Sequence, residues 1–294
     1  MAENPPPILF DKALLRRRRQ RAVTAGGWPG FLGAAAADDI VLRLTAVSRR
    51  FADVVVLGAA GSNLPARLAE RPGTSRVIAC DEVGWPGLER IFDHEEPDLA
   101  DASADCIVWP LGLERINDIP QCLARLGRAL RPDGLLIAVL LAGSSLLELR
   151  RAWTGAEADL RAGAGPRVAP FGDVRDLGGL LQRAGLALPV ADIDRLTVRY
   201  GSGLALMRDL KAMGLANPLR ERTRRLTGPA LLARAVAIYD RDFADPDGRV
   251  RATFELATLT AWAPHASQQQ PLKPGSARLR LADALGTREM KLKR

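Results

Sequence analysis

The sequence predicts an α/β protein built on a mostly parallel sheet, and three observations carry that reading. Short apolar runs alternate with helix-like runs from residue 54 to about 142. The first of them, Val54-Val55-Val56-Leu57, enters a small-residue turn, Gly58-Ala59-Ala60-Gly61-Ser62-Asn63, and then a helical run to Glu70. A second, Arg76-Val77-Ile78-Ala79-Cys80, ends on Asp81.

Composition narrows the class. The 294 residues are 47% hydrophobic and 26% charged, as in a soluble globular chain. The longest apolar run, 135–142, suits a buried strand and is too short to span a bilayer. Peripheral contact with a membrane surface stays compatible with the charge. Residues 1–7 lack an apolar signal core, and Cys80, Cys106 and Cys122 form no CxxC pair, so a cytoplasmic protein with reduced thiols is expected. Net charge is +8, nearly all from arginine, which favours an acidic partner. Aromatic residues are sparse and no nucleic-acid module is present, so nucleic acid is not the expected partner.

Taken in order, Asp11 is a plausible N-cap for a helix that carries the basic run Arg16-Arg17-Arg18-Arg19-Gln20-Arg21. Such a run reads as a solvated face with two or three arginines lying over the core, or as a dock for an acidic partner. Gly26-Gly27-Trp28-Pro29-Gly30 breaks the helix, and a second one is expected over 34–50. Strands follow at 54–57, 76–80, 91–93, 105–109 and 135–141, with a helix over 119–130 behind Asp118 and a turn at Arg131-Pro132-Asp133-Gly134. Further helices are expected over 144–160, 173–184, 202–213 and 228–243, strand pieces over 186–190 and 193–198, and a last long antiparallel strand over 250–262. The preferred organisation is N-terminal helices over 1–50 packing on a core domain of 51–294, with a helical cap inserted at about 144–244.

The first strand-to-helix turn of a doubly wound sheet is where a nucleotide-like cofactor lies, with glycine letting the ligand approach the backbone. Gly58 and Gly61 are the candidates there. Asp81, 23 residues after Gly58, stands where a carboxylate accepts bonds from ribose hydroxyls, and Asp93 or Glu95 is placed to reach an adenine amino group. His94 and His265 are the only histidines, no HExxH, GxSxG or Walker lysine turn occurs, and no metal site is expected. No catalytic residue is identifiable. Methyl transfer from a sulfonium suits so thin an inventory, because the leaving group is already activated and placement supplies much of the rate.

Several segments resemble the class I S-adenosylmethionine-dependent methyltransferase superfamily, more narrowly its mitochondrial complex I assembly-factor (arginine hydroxylase) branch and the malonyl-carrier-protein methyltransferase of biotin synthesis. They are Leu9-Phe10-Asp11 with its basic run, Asn117-Asp118-Ile119-Pro120, Leu130-Arg131-Pro132-Asp133-Gly134, Leu147-Glu148-Leu149-Arg150, Met207-Arg208-Asp209-Leu210, and the late set Ala261-Trp262, His265, Ser267-Gln268, Pro271, Lys273 and Gly275-Ser276-Ala277. The resemblance implies a Rossmann-like fold with a seven-stranded sheet, S-adenosylmethionine as cofactor, and a protein or carrier-bound substrate. It maps Gly58 onto the family's first turn glycine, Asp81 onto the ribose acid and Asp93 onto the acid near adenine. Ala59, Ala60 and Ser62 depart from its Gly-Cys-Gly-x-Gly turn, with Gly61 one residue out of step, and Glu114-Arg115 replaces its His-Trp. Alanine forced to positive φ costs about 1–2 kcal/mol, so weakened cofactor binding is expected. Three functions fit: a methyltransferase, an arginine-hydroxylase-like factor for respiratory complex I assembly, or a non-catalytic assembly protein with a degenerate site. His265 and Lys273 read as structural residues of the tail.

Overall fold

The computed structural model describes residues 8–28, 30–161, 163–269, 276 and 281–287. Its β-branched and leucine-rich runs form seven strands: β1 (Asp53–Leu57), β2 (Arg76–Asp81), β3 (Arg90–Ile91), β4 (Ala104–Pro110), β5 (Leu130–Ala142), β6 (Ala187–Tyr200) and β7 (Val250–Trp262). They form one sheet in the order β3-β2-β1-β4-β5-β7-β6. The first five pair in parallel, while β7 runs antiparallel to both β5 and β6. The expected mostly parallel sheet with a late antiparallel strand is therefore what the chain builds. The helices are α1 (Lys12–Thr24), α2 (Gly30–Ala46), α3 (Leu64–Ala69), α4 (Ile119–Ala129), α5 (Leu147–Leu160), α6 (Val174–Arg183), α7 (Gly203–Ala212) and α8 (Pro229–Asp242).

Residues alternate along the central strands between two buried layers, as a sheet covered on both faces requires. Val54, Val56, Cys106, Val108, Ile137 and Val139 pack in one cluster with α2, α5 and α8. Val55, Leu57, Ile107, Trp109, Leu136 and Ala138 pack in the other with α4 and α6. Helix α2 is also clipped to the far strands by charge. Arg43 makes a two-bond contact with Asp192 of β6 and donates to Asp39 at 2.7 Å, and Thr258 of β7 donates to Asp39 at 2.8 Å.

Several boundaries differ from expectation. The second helix begins at Gly30, because the small run Gly33-Ala34-Ala35-Ala36-Ala37 continues the helix rather than preceding it, and it ends at Ala46. The turn 131–134 lies within β5: Asp133 has φ +66 and donates to the Ala263 carbonyl, and Ala263 donates back to Gly134, so the ladder absorbs the turn as a bulge. The two strand pieces after α6 are one long strand, β6, whose register breaks between Ala187 and Val190, around Pro189, which has no N–H to donate. As a result the stretch 144–244 contains β6 as a sheet edge, with α5 and α6 between β5 and β6 and with α7 and α8 between β6 and β7. The body of residues 1–264 and the segment 265–294 are separate compact units. In the second, the exposed His265 ring lies 2.7 Å from the Ser267 hydroxyl, and Leu281–Ala284 is helical. Pro271, Lys273, Gly275 and Ala277 lie outside the described residues.

Phe254 of β7 is fully buried and meets Phe31 of α2 edge-on at 5.5 Å. Phe254→Ala is expected to cost about 3–5 kcal/mol and to lower the urea midpoint accordingly. A midpoint within error of the unsubstituted chain contradicts this account of how α2 is held.

Candidate functional site: a buried arginine at the end of β2

The turn after β1 takes the shape that a ligand-binding turn needs. Its two residues in the left-handed region, Gly58 (φ +67) and Gly61 (φ +70), are both glycine. Ala59 and Ala60 adopt negative φ, so the expected strain at these alanines is not incurred: the one-residue shift to Gly61 supplies the second glycine where it is required. At Gly58 a side chain would also be crowded. A Cβ there would lie 3.1 Å from Arg19 Nη2 and 3.3 Å from both the Leu111 carbonyl oxygen and Trp109 Nε1.

Asp81 closes β2 directly beside this turn and is fully buried. Its Oδ2 accepts from the Ala60 N–H at 2.9 Å and from Arg19 Nη2 at 2.8 Å, and its Oδ1 accepts from the Glu82 N–H at 2.7 Å and the Val83 N–H at 3.4 Å. Burial pushes this carboxyl upward, but the Arg19 guanidinium and the Ala60 N–H outweigh it and hold it below the usual carboxylate range. Arg19 comes from α1 and is itself only 2% exposed. The basic run is thus divided by helix geometry. Arg19 turns inward, Arg18 donates to the carbonyls of Ala216 and Asn217, and Arg17 and Arg21 are exposed.

Around this pair lies a polar nest that the sequence reading did not assemble. The Arg19 and Arg115 guanidinium carbons lie 4.3 Å and 5.1 Å from the Trp28 ring centroid, within cation–π range. His94 is buried edge-on to Trp109 at 5.1 Å, and burial keeps its imidazole below its usual value and neutral. Seven buried side-chain polar atoms among the described residues have no hydrogen-bond partner. Five of them belong here: Arg19 Nε, Trp28 Nε1, His94 Nε2, Trp109 Nε1 and Arg115 Nη2. An unmet buried donor costs about 1–3 kcal/mol, so the nest is held in place against a polar penalty. Glu114, standing with Arg115 where the resembled family has His-Trp, accepts from the Gly112 N–H and from Arg115 Nε. Arg19 was visible only as part of a basic run, and nothing in the sequence marked Trp28 or Trp109 as its neighbours.

Asp93 is not in this nest. Its half-exposed carboxylate pairs with Lys12 at 3.0 Å on the outer side of α1, in a hollow of about 550 Å³ that Arg16, Glu82 and Glu95 also line. Glu95 is engaged with Asn117 and Lys12. A second, larger groove of about 1380 Å³ runs between α1, α5, α7 and the segment 215–227. Six exposed cations line it without a salt bridge among the described residues: Arg17, Arg21, Arg208, Lys211, Arg224 and Arg225. Its floor is apolar, with Leu146, Leu149, Trp153, Phe171 and Met207. Gly58, Gly61 and Asp81 line neither hollow.

As they stand, these residues do not fit S-adenosylmethionine. The carboxylate that would take the ribose hydroxyls has both oxygens committed, and the chain's own arginine fills the space against the turn. Among the described residues no group of three or more His, Cys, Asp or Glu could hold a metal ion.

The buried pair has a pH signature. Because the folded Asp81 carboxyl ionises below its unfolded value of about 4, its stabilisation is complete above that value and is lost as pH falls through the folded one. Asp81→Asn is therefore expected to cost about 3–5 kcal/mol at neutral pH and to flatten the acid limb of stability. Urea midpoints measured from pH 3 to 7 check this; an acid limb as steep as in the unsubstituted chain contradicts it.

No family model matches the chain. It is 37% identical over 209 residues to the arginine-hydroxylase NDUFAF5, mitochondrial, of Danio rerio, covering 71% of this chain and 61% of that protein. The chain thus spans less than two thirds of that relative's length. It is 32% identical over 270 residues to the malonyl-[acyl-carrier protein] O-methyltransferase of Xylella fastidiosa, covering 87% of this chain and 89% of the relative. Among solved structures the YcgJ protein of Bacillus subtilis shares the fold, with a TM-score of 0.53 at 12% identity over 78% of this chain and 99% of that one. The chain belongs to the family of the malonyl-[acyl-carrier protein] O-methyltransferases.

Proposed function

We propose that the chain captures an acidic protein or carrier-bound substrate in its cationic groove, for methyl transfer at a site that Gly58, Gly61 and Asp81 would form only once Arg19 is displaced from Asp81. The observation that carries this reading is the groove itself. Six exposed cations that make no salt bridge among the described residues collect around one apolar floor. That combination suits an acidic surface that presents an apolar or thioester-linked group. Methyl transfer as the chemistry, with S-adenosylmethionine as the donor, is supported by the nearly full-length match to an O-methyltransferase. Asp93, paired with Lys12 outside the nest, is the weaker of the four cofactor contacts we assign.

We place residues 1–50 as a helical element over a methyltransferase-like domain of 51–294, in which α7, α8 and the segment between them supply the substrate-facing part of the expected cap. We also place the protein in the cytoplasm. The three free cysteines, all buried with thiols pushed up to about 12 by desolvation, are consistent with a reducing compartment. Among the described residues no helix is long and apolar enough to cross a membrane.

A second reading is favoured by the saturation of Asp81: a methyltransferase fold that binds its partner and uses no cofactor. An arginine-hydroxylase-like role rests only on the match to NDUFAF5.

Binding of a malonyl-loaded acyl-carrier protein to the full chain tests the groove. Affinity is expected to fall steeply between 50 and 200 mM salt, and the triple variant Arg17→Glu, Arg21→Glu, Arg224→Glu is expected to lose at least tenfold. Equal binding by that variant, shown to be folded, overturns the groove assignment.

A further inference from the structure

We infer that α1 is an autoinhibitory latch in which Arg19 stands in for the ligand at Asp81, so that the cofactor enters only when this helix yields. The inference rests on the transfer reading above and concerns how that site is regulated.

Three observations converge on it. First, Arg19 supplies the one contact to Asp81 that does not come from the turn and the strand end themselves; the other three are backbone N–H groups of Ala60, Glu82 and Val83. Removing Arg19 therefore leaves the acid in place, still oriented, and open on one side. Second, the closed arrangement is incompletely satisfied. Arg19 Nε, Trp28 Nε1, Trp109 Nε1 and Arg115 Nη2 are buried without acceptors around the pair, and His94 Nε2 has no hydrogen-bond partner among the described residues. A permanent structural ion pair gains most from complete pairing, whereas a nest with several unmet donors is poised for a ligand that brings acceptors. Third, the chain leaves α1 through a left-handed glycine. It ends at Thr24, and Gly26 follows at φ +70 with open space where a side chain would be.

The same helix also faces outward. Arg17, Arg18 and Arg21 line the cationic groove while Arg19 faces Asp81. Other ties must also yield: Leu14, Leu15, Ala22 and Val23 of α1 are buried, Lys12 pairs with Asp93 and Glu95, Asp11 pairs with Arg222, and Arg18 donates to the carbonyls of Ala216 and Asn217.

Calorimetric titration with S-adenosylhomocysteine tests this on the full chain and on Arg19→Gln. The latch predicts weak binding by the unsubstituted chain and binding at least tenfold tighter by the variant. Equal or weaker binding by the variant, while the unsubstituted chain binds, overturns the latch and leaves the transfer reading standing. No heat from either chain, with both shown to be folded, overturns the cofactor reading and the latch with it. Should Arg19→Gln fail to fold, amide hydrogen exchange of the unsubstituted chain decides. With millimolar S-adenosylhomocysteine the latch predicts faster exchange over 12–24 than without it, and unchanged or slower exchange overturns it.

Discussion

The organisation of this molecule around its first helix depends on one buried ion pair, Arg19 with Asp81. A carboxylate with no solvent exposure needs compensation from every side, and it obtains three backbone N–H groups and one guanidinium. That demand decides which face of α1 turns inward. Once Arg19 is committed, Arg17 and Arg21 fall on the outer side of the helix and Arg18 reaches the 216–217 carbonyls. The outward residues of the same helix, Arg17, Arg18 and Arg21, line the groove.

The Gly58–Gly61 turn serves the same pair. With positive φ at both glycines, the Ala60 N–H points at Asp81, and the missing side chain at Gly58 leaves room for Arg19 Nη2 and Trp109 Nε1. The geometry of a ligand cradle and the geometry of a guanidinium seat are here the same. Sequence change at Ala59 and Ala60 has altered neither, because those positions never needed the left-handed region.

Much of the fold was legible in the sequence, because period and composition report directly on burial. Val54-Val55-Val56-Leu57 and the run from Leu135 read as strands and are strands; Asp11 and Asp118 read as N-caps, and each accepts from the backbone three residues on. Less visible was whatever depends on partners distant in sequence. The 131–134 turn is drawn into β5 by Ala263, and β6 becomes one strand because β7 pairs with both of its halves. The site shows the same limit. The glycines and Asp81 could be picked out because strand ends and turns mark them locally. Arg19 could not, since one arginine in a run of four looks like its neighbours until the helix is placed against the sheet. Asp93 is two residues from β3, yet its carboxylate meets Lys12 instead of the nest.

The central claim, that Arg19 and Asp81 are energetically coupled inside the fold, is most directly tested by a double-mutant cycle in urea unfolding at pH 7 with Arg19→Met, Asp81→Asn and their combination. Each single change strands one buried partner, whereas the combination leaves neither charge behind. The account predicts a coupling of at least about 2 kcal/mol, with the combined variant more stable than the sum of the single losses implies. Additive losses, with a coupling below about 0.5 kcal/mol, would contradict it and place Arg19 outside the Asp81 site in solution.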